Sequence, residues 1–166
     1  MKTLNKPAFI LVILYLCFFS YLVFSASSLS NCIATHFNGD GQPNDWMDRS
    51  SYLLFMAVFS LVLPLLLVGT SFTLRFFPDK YFNIPRRDYW LAPQHRAETF
   101  SYFLSHSLWF ACIALCFIIG IHFSIIKANS LAPAHLSTPM ILGLIGCFVA
   151  GLVVWIVKMI FHFNRT

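Results

Sequence analysis

YLLFMAVFSLVLPLLLVGTSFTL occupies residues 52–74 and carries no charged side chain. A helix of that length reaches about 34 Å, enough to cross a hydrocarbon core of about 30 Å. In lipid, every backbone N–H and C=O must be satisfied within the chain, so an isolated apolar run of this length is a helix. Residues 7–24, 103–126 and 139–161 read the same way. The expected fold is all-α: an integral membrane four-helix bundle, one membrane domain spanning residues 1–166.

Composition supports this reading. Hydrophobic residues make up 58% of the chain and charged residues 10%, where a soluble domain carries about 25% charged. Aromatic residues reach 17%, with 19 Phe, a density suited to a lipid-facing surface. The formal charge is +5. No soluble basic face exists to hold a duplex, so nucleic acid is not an expected partner. Membrane lipids are. Cys17, Cys112, Cys116 and Cys147 lie in the apolar runs and read as small buried hydrophobes. Cys32 sits alone in a polar loop and builds no disulfide framework.

The basic residues give an orientation. Lys2 and Lys6, then Arg75, Lys80, Arg86, Arg87 and Arg96, then Lys158 and Arg165 fall on one side; Arg49 and Lys127 fall on the other. By the positive-inside rule both termini and the 75–102 loop are cytoplasmic, and the 25–51 loop is outside. Lys2 and Lys6 before the first run, with Ser25-Ala26-Ser27 after it, raise the question of a signal peptide. The run exceeds the ~7–15 apolar residues of a signal sequence, so an uncleaved helix is expected. Pro64 is expected to kink the second helix. Gly143, Gly146, Ala150 and Gly151 are expected to let a neighbouring helix approach the fourth closely.

Two loops hold the chemistry. The outer one contains His36, Asn38, Asp40, Asn44, Asp45 and Trp46 around Gly39, Gly41 and Pro43. Glycine permits tight turning, and Pro-Asn-Asp favours turns. The plainest account is a folded cap whose polar side chains bond its own backbone. The second is a recognition surface, with polar groups around an aromatic anchor. The third is a metal or catalytic site. For calcium, Asn38, Asp40 and Gln42 alternate correctly, but Arg49 stands where an EF-hand loop ends in Glu. For zinc, His36 has only Cys32 at ligand spacing, and two ligands do not make a site.

The inner loop carries Arg86, Arg87, Tyr89, Trp90, His95 and Arg96 between two X-Pro steps. The mixture suits the headgroup region, where it would anchor the chain or meet a cytoplasmic partner. Glu98 is placed to pair with Arg86 or Arg87, and a helix is expected to start near Pro93. His106 and His162, on neighbouring helices, are the one pair that raises haem ligation. His122 is about 24 Å from His106 along the same helix and cannot join it. No cofactor and no metal are expected. Ser and His occur, but without a G-x-S-x-G elbow or a zinc-protease motif.

His36-Phe37-Asn38 and Gly41-Gln42-Pro43-Asn44-Asp45-Trp46, followed by a span, resemble a bacterial membrane domain of unknown function. That domain is also found at the start of the immunity protein against the SDP sporulation-delay toxin. Residues 85–99 look like the continuation in short stand-alone members, so the resemblance covers about residues 7–100. It implies a bacterial inner-membrane protein, supplies no catalytic residues, and carries over toxin binding only weakly, since the immunity protein has more spans. The expectation is a non-enzymatic recognition or accessory subunit. It would bind a peptide or membrane-protein partner through the outer loop. The competing class is a metal-assisted hydrolase or transferase at the outer face.

Overall fold

A computed structural model describes residues 2–165, with side chains from Lys6 onward. The Lys2 side chain used in the charge count therefore lies outside the described residues. Four long helices are apolar enough to cross a membrane: α1 (Lys2–Ala26), α2 (Arg49–Thr73), α4 (Pro93–Asn129) and α5 (Thr138–Asn164). A short helix, α3 (Arg87–Trp90), precedes α4. The helices extend past the four apolar runs because polar flanking turns continue the hydrogen-bond ladder beyond the lipid. α4 is the longest at 37 residues, and it opens with Pro93 in its first turn, where the missing N–H costs nothing.

The bundle is uneven. α4 packs against α1, α2 and α5 and holds more buried residues than any other element. α5 packs mainly on α4, and Phe163 is its only fully covered residue. Its small residues are accordingly used less than expected. A side chain at Gly151 would meet Ile113 at 3.3 Å, whereas Gly143 and Gly146 have nothing within 4 Å. Gly120 on α4 makes the other close approach, to Leu144. The main core joins Phe18 and Leu22 of α1, Tyr52 and Met56 of α2, and Leu115, Ile118 and Ile125 of α4.

α2 runs through Pro64 without a break. Proline cannot donate to the carbonyl four residues earlier, which is that of Ser60. The Tyr15 hydroxyl of α1 donates to that same Ser60 oxygen at 2.8 Å. A neighbouring helix thus satisfies the acceptor that proline abandons.

The loop between α1 and α2 is a β-hairpin, an element the turn-rich sequence did not announce. β1 (Cys32–Phe37) pairs antiparallel with β2 (Pro43–Asp48), with register shifts on either side of His36. Ile33 and Ala34 of β1 are buried, and Ile33 joins the main core with Leu29. The small sheet caps one end of an otherwise helical molecule. At the other end, residues 74–92 fold over the helix ends, with Phe82, Leu91 and Phe100 forming a second apolar cluster. Lys6 and Arg165 line one cavity there, so the two ends of the described chain meet at the face opposite the hairpin.

Candidate functional site

The hairpin is held by backbone and amide bonds. Asn38 Oδ1 accepts from the N–H groups of Asp40 at 3.1 Å and Gln42 at 2.8 Å, fixing the turn. Gly41 follows with φ 79°, a left-handed conformation suited to glycine. Its carbonyl accepts from Leu136 N–H at 2.9 Å, and any Cβ there would strike the Leu136 carbonyl and the His135 ring. The tip is thus docked on the α4–α5 connection. At the base, Asn129 of α4 acts as an extra strand residue. Its Oδ1 accepts from Ala34 N–H, and its Nδ2 donates to Ala34 C=O, both at 2.9 Å. Arg49 N–H donates to Asn31 C=O at 3.0 Å, and its guanidinium to Leu29 C=O at 3.2 Å.

On this frame His36, Asn38, Asp40, Asn44, Asp45 and Trp46 are all exposed, Trp46 by 52%. Asn38 acts on its own turn, and Asp45 accepts from the backbone N–H of Trp46 at 2.8 Å. His36 and Asp45 are cross-strand partners. Among the described residues, no three His, Cys, Asp or Glu side chains converge as metal ligands.

The residues of the other loop divide. Arg86, Arg87 and Tyr89 are exposed, and Arg86 starts α3 with φ 52°. Arg87 pairs with Asp88 at 3.3 Å. Arg96 pairs with Asp79 and lies over the Phe100 ring, which ties the loop to the start of α4. His95 stacks on Tyr89 with ring centroids 4.2 Å apart. Trp90 departs from its expected place at the headgroups. It is 7% exposed, and its indole N–H donates to Phe163 C=O at 2.9 Å. Thr99 donates to the Trp90 carbonyl at 2.7 Å, so this tryptophan is a bolt between the loop, α4 and α5.

Trp90 is also one end of a column of five rings. Along it, Trp90 stacks on His162 at 5.0 Å, His162 on Tyr102 at 3.5 Å, Tyr102 on His106 at 5.2 Å, and His106 on Trp155 at 4.4 Å. The expected histidine pair does lie on neighbouring helices, but Tyr102 fills the space between the two imidazoles. Trp155 N–H donates to the His106 carbonyl at 2.8 Å. The Nε2 atoms of both histidines are buried and have no hydrogen-bond partner among the described residues.

His122, set aside in the sequence, occupies the centre of a polar knot below the hairpin. It is fully buried, with Ser25 Oγ 2.9 Å from Nε2 and Tyr52 Oη 2.8 Å from Nδ1. Ser25 has one proton and gives it to Leu22 C=O at 3.1 Å. Its oxygen therefore accepts from His122 Nε2–H, which leaves Nδ1 to accept from Tyr52. One ring proton satisfies both contacts and joins α1, α2 and α4.

These features define a small, multi-pass helical membrane protein. A family model described as a domain of unknown function, DUF1648, matches residues 10–67, so over that stretch the chain is similar to a membrane-associated family. The match covers most of α1, the hairpin and most of α2; residues 85–99 lie outside it. Comparison with curated proteins and with solved structures gives no match.

Proposed function

We propose that the protein is a non-enzymatic recognition or accessory subunit of the bacterial inner membrane. In this reading both termini are cytoplasmic, and the hairpin outside binds a peptide or a membrane-protein partner. One observation carries it: the hairpin is anchored by groups other than those it displays. Asn129, Gly41 and Arg49 hold it to the helices, while His36, Asp40, Asn44 and Trp46 stay exposed. A rigid frame presenting an exposed indole among polar groups binds with little ordering cost. The resemblance to a domain also found in the SDP immunity protein, though its toxin binding carries over only weakly, makes a peptide the first partner class to test. The excess of basic residues at the terminal face supports the orientation.

Cys32 is exposed on the hairpin and serves as a native reporter. A membrane-impermeant maleimide is expected to label Cys32 in intact spheroplasts, and the Cys32→Ser chain is expected to lose that label. Labelling only after permeabilisation would reverse the orientation. For binding, a photo-crosslinking residue at position 46 is expected to trap a discrete partner. His36→Ala and Trp46→Ala are expected to release the partner without loss of folded protein. Unchanged co-purification in both variants would end the recognition reading.

A further inference from the structure

Where the ring column meets α1 and α5, the molecule contains an open-sided cavity of 1410 Å³. Small-molecule sites usually span about 300–1,000 Å³, so this one has room for more than a compact metabolite. Its mouth is polar and mainly cationic: Lys6, Lys158 and Arg165 line it, against Glu98 as the one carboxylate among the described residues. His106 lines it too. That side chain is 8% exposed, and its Nε2 has no partner among the described residues. A buried imidazole nitrogen without a partner is costly unless something binds it.

Deeper in, the lining turns apolar through Trp109, Ile113 and Val154. Trp109, Ile113 and Gly151 also line a second volume of 390 Å³, which continues between α1 and α5 past Leu14, Leu144 and Phe148. The two volumes adjoin at these three residues, giving a trough with a cationic end and an apolar run beyond it. α5 packs mainly on α4, so its side toward α1 is unfilled, and that gap lies between two helices long and apolar enough to cross a membrane.

We propose that this trough is a binding site for an anionic phospholipid taken from the surrounding leaflet. The phosphate lies among Lys6, Lys158 and Arg165, and a small rotation of the His106 ring brings its covered Nε2 to one of the phosphate oxygens. An acyl chain follows Trp109 and Ile113 toward mid-membrane. Charge complementarity selects the headgroup: a net-anionic lipid neutralises the cationic mouth, whereas a zwitterionic one brings a second cation against it. Snorkelling alone would also bring Lys158 and Arg165 to the interface, but it gives no role to the unpartnered His106 nitrogen or to the trough beneath it. The site is separate from the hairpin and does not depend on what the hairpin binds.

The test uses the full chain in mild detergent, incubated with phosphatidylglycerol or with phosphatidylcholine of equal chain length and read by native mass spectrometry. Phosphatidylglycerol is expected to be retained about tenfold better: both lipids offer the same phosphate, but the choline cation of phosphatidylcholine is repelled by Lys6, Lys158 and Arg165. Lys158→Gln with Arg165→Gln, both at exposed positions, is expected to erase the preference. Ala150→Trp, exposed on the trough wall, is expected to lower retention of both lipids without touching the core. Arg75→Gln with Lys80→Gln, both exposed and outside the trough, is expected to change nothing. Equal retention of the two lipids by the native chain would overturn the proposal. So would an unchanged preference in the Lys158/Arg165 variant, or an equal loss in the Arg75/Lys80 variant.

Discussion

His122 and His106 lie on the same helix and are both buried, yet their surroundings are opposite. His122 has both ring nitrogens bonded, to Ser25 and to Tyr52, and no cavity beside it is needed to explain it. His106 is packed between the rings of Tyr102 and Trp155 beside a large volume, and its Nε2 is covered but has no partner among the described residues. The first arrangement closes a structure, because every polar group in it is answered by another from a different helix. The second leaves a buried polar atom to be answered by something else. Equal burial of two identical side chains thus says little; the state of their nitrogens separates scaffold from site.

The comparison is broken most directly by making the same substitution at both positions. His122→Phe removes the donor to Ser25 and the acceptor of Tyr52, and it enlarges a ring in a filled core. A loss of about 4 kcal/mol is expected from the orphaned hydroxyl and the crowding. His106→Phe keeps a flat ring in the column, breaks no side-chain hydrogen bond among the described residues, and has the cavity to expand into. A change below about 1 kcal/mol is expected. Unfolding of the detergent-solubilised chain by SDS titration measures both. Equal losses would show that the column at His106 is as tightly built as the knot at His122.

The hairpin face offers a second answered group. Asn129→Ala deletes both bonds to Ala34 and leaves a buried backbone N–H and C=O without partners at a residue only 1% exposed. About 3 kcal/mol of local stability is expected to go, less than at His122 because water can reach the displaced hairpin. Hydrogen exchange at Ala34 and proteolysis of the 38–42 turn are expected to rise sharply, while protection of the α4 amides below residue 120 stays as it was. Unchanged exchange at Ala34 would mean that the helical body does not hold the sheet, and the rigid presentation on which partner binding rests would go with it.

The sequence carried some of this and hid the rest. Long uncharged runs announce helices because lipid offers the backbone no other choice. The charge distribution separates the two faces in the same way. The hairpin was hidden because its strands are short and do not alternate cleanly: Ile33 and Ala34 are buried side by side, and the pairing shifts around His36. Its exposed residues were legible as a polar set, but the frame behind them was not, since Asn129 is distant in sequence from Ala34. The knot was missed for the same reason. Ser25, Tyr52 and His122 stand on three separate helices and have no spacing to read. His106 and His162 stand out as a pair in the sequence, but the Tyr102 ring comes between them only through the packing of α4 on α5. Trp90 looked like an interfacial anchor by its basic and aromatic neighbours, yet the Phe163 carbonyl draws it inward.

The smallest expected effect lies at mid-depth, where Tyr15 answers the Ser60 carbonyl that Pro64 leaves free. Tyr15→Phe keeps the ring and its contacts and removes only the donor. Interhelical hydrogen bonds in membrane proteins average about 0.6 kcal/mol, so a loss near 1 kcal/mol is the expected ceiling. Pro64→Ala restores the missing N–H, which then bonds Ser60 in the ordinary helical way. On that background Tyr15→Phe is expected to cost measurably less, because the carbonyl already has its partner. A double-mutant cycle by SDS titration reads the difference. Additive losses would show that the tyrosine and the proline act independently. A coupled result would place this bond with the His122 knot, as a polar group that the fold itself created and then satisfied.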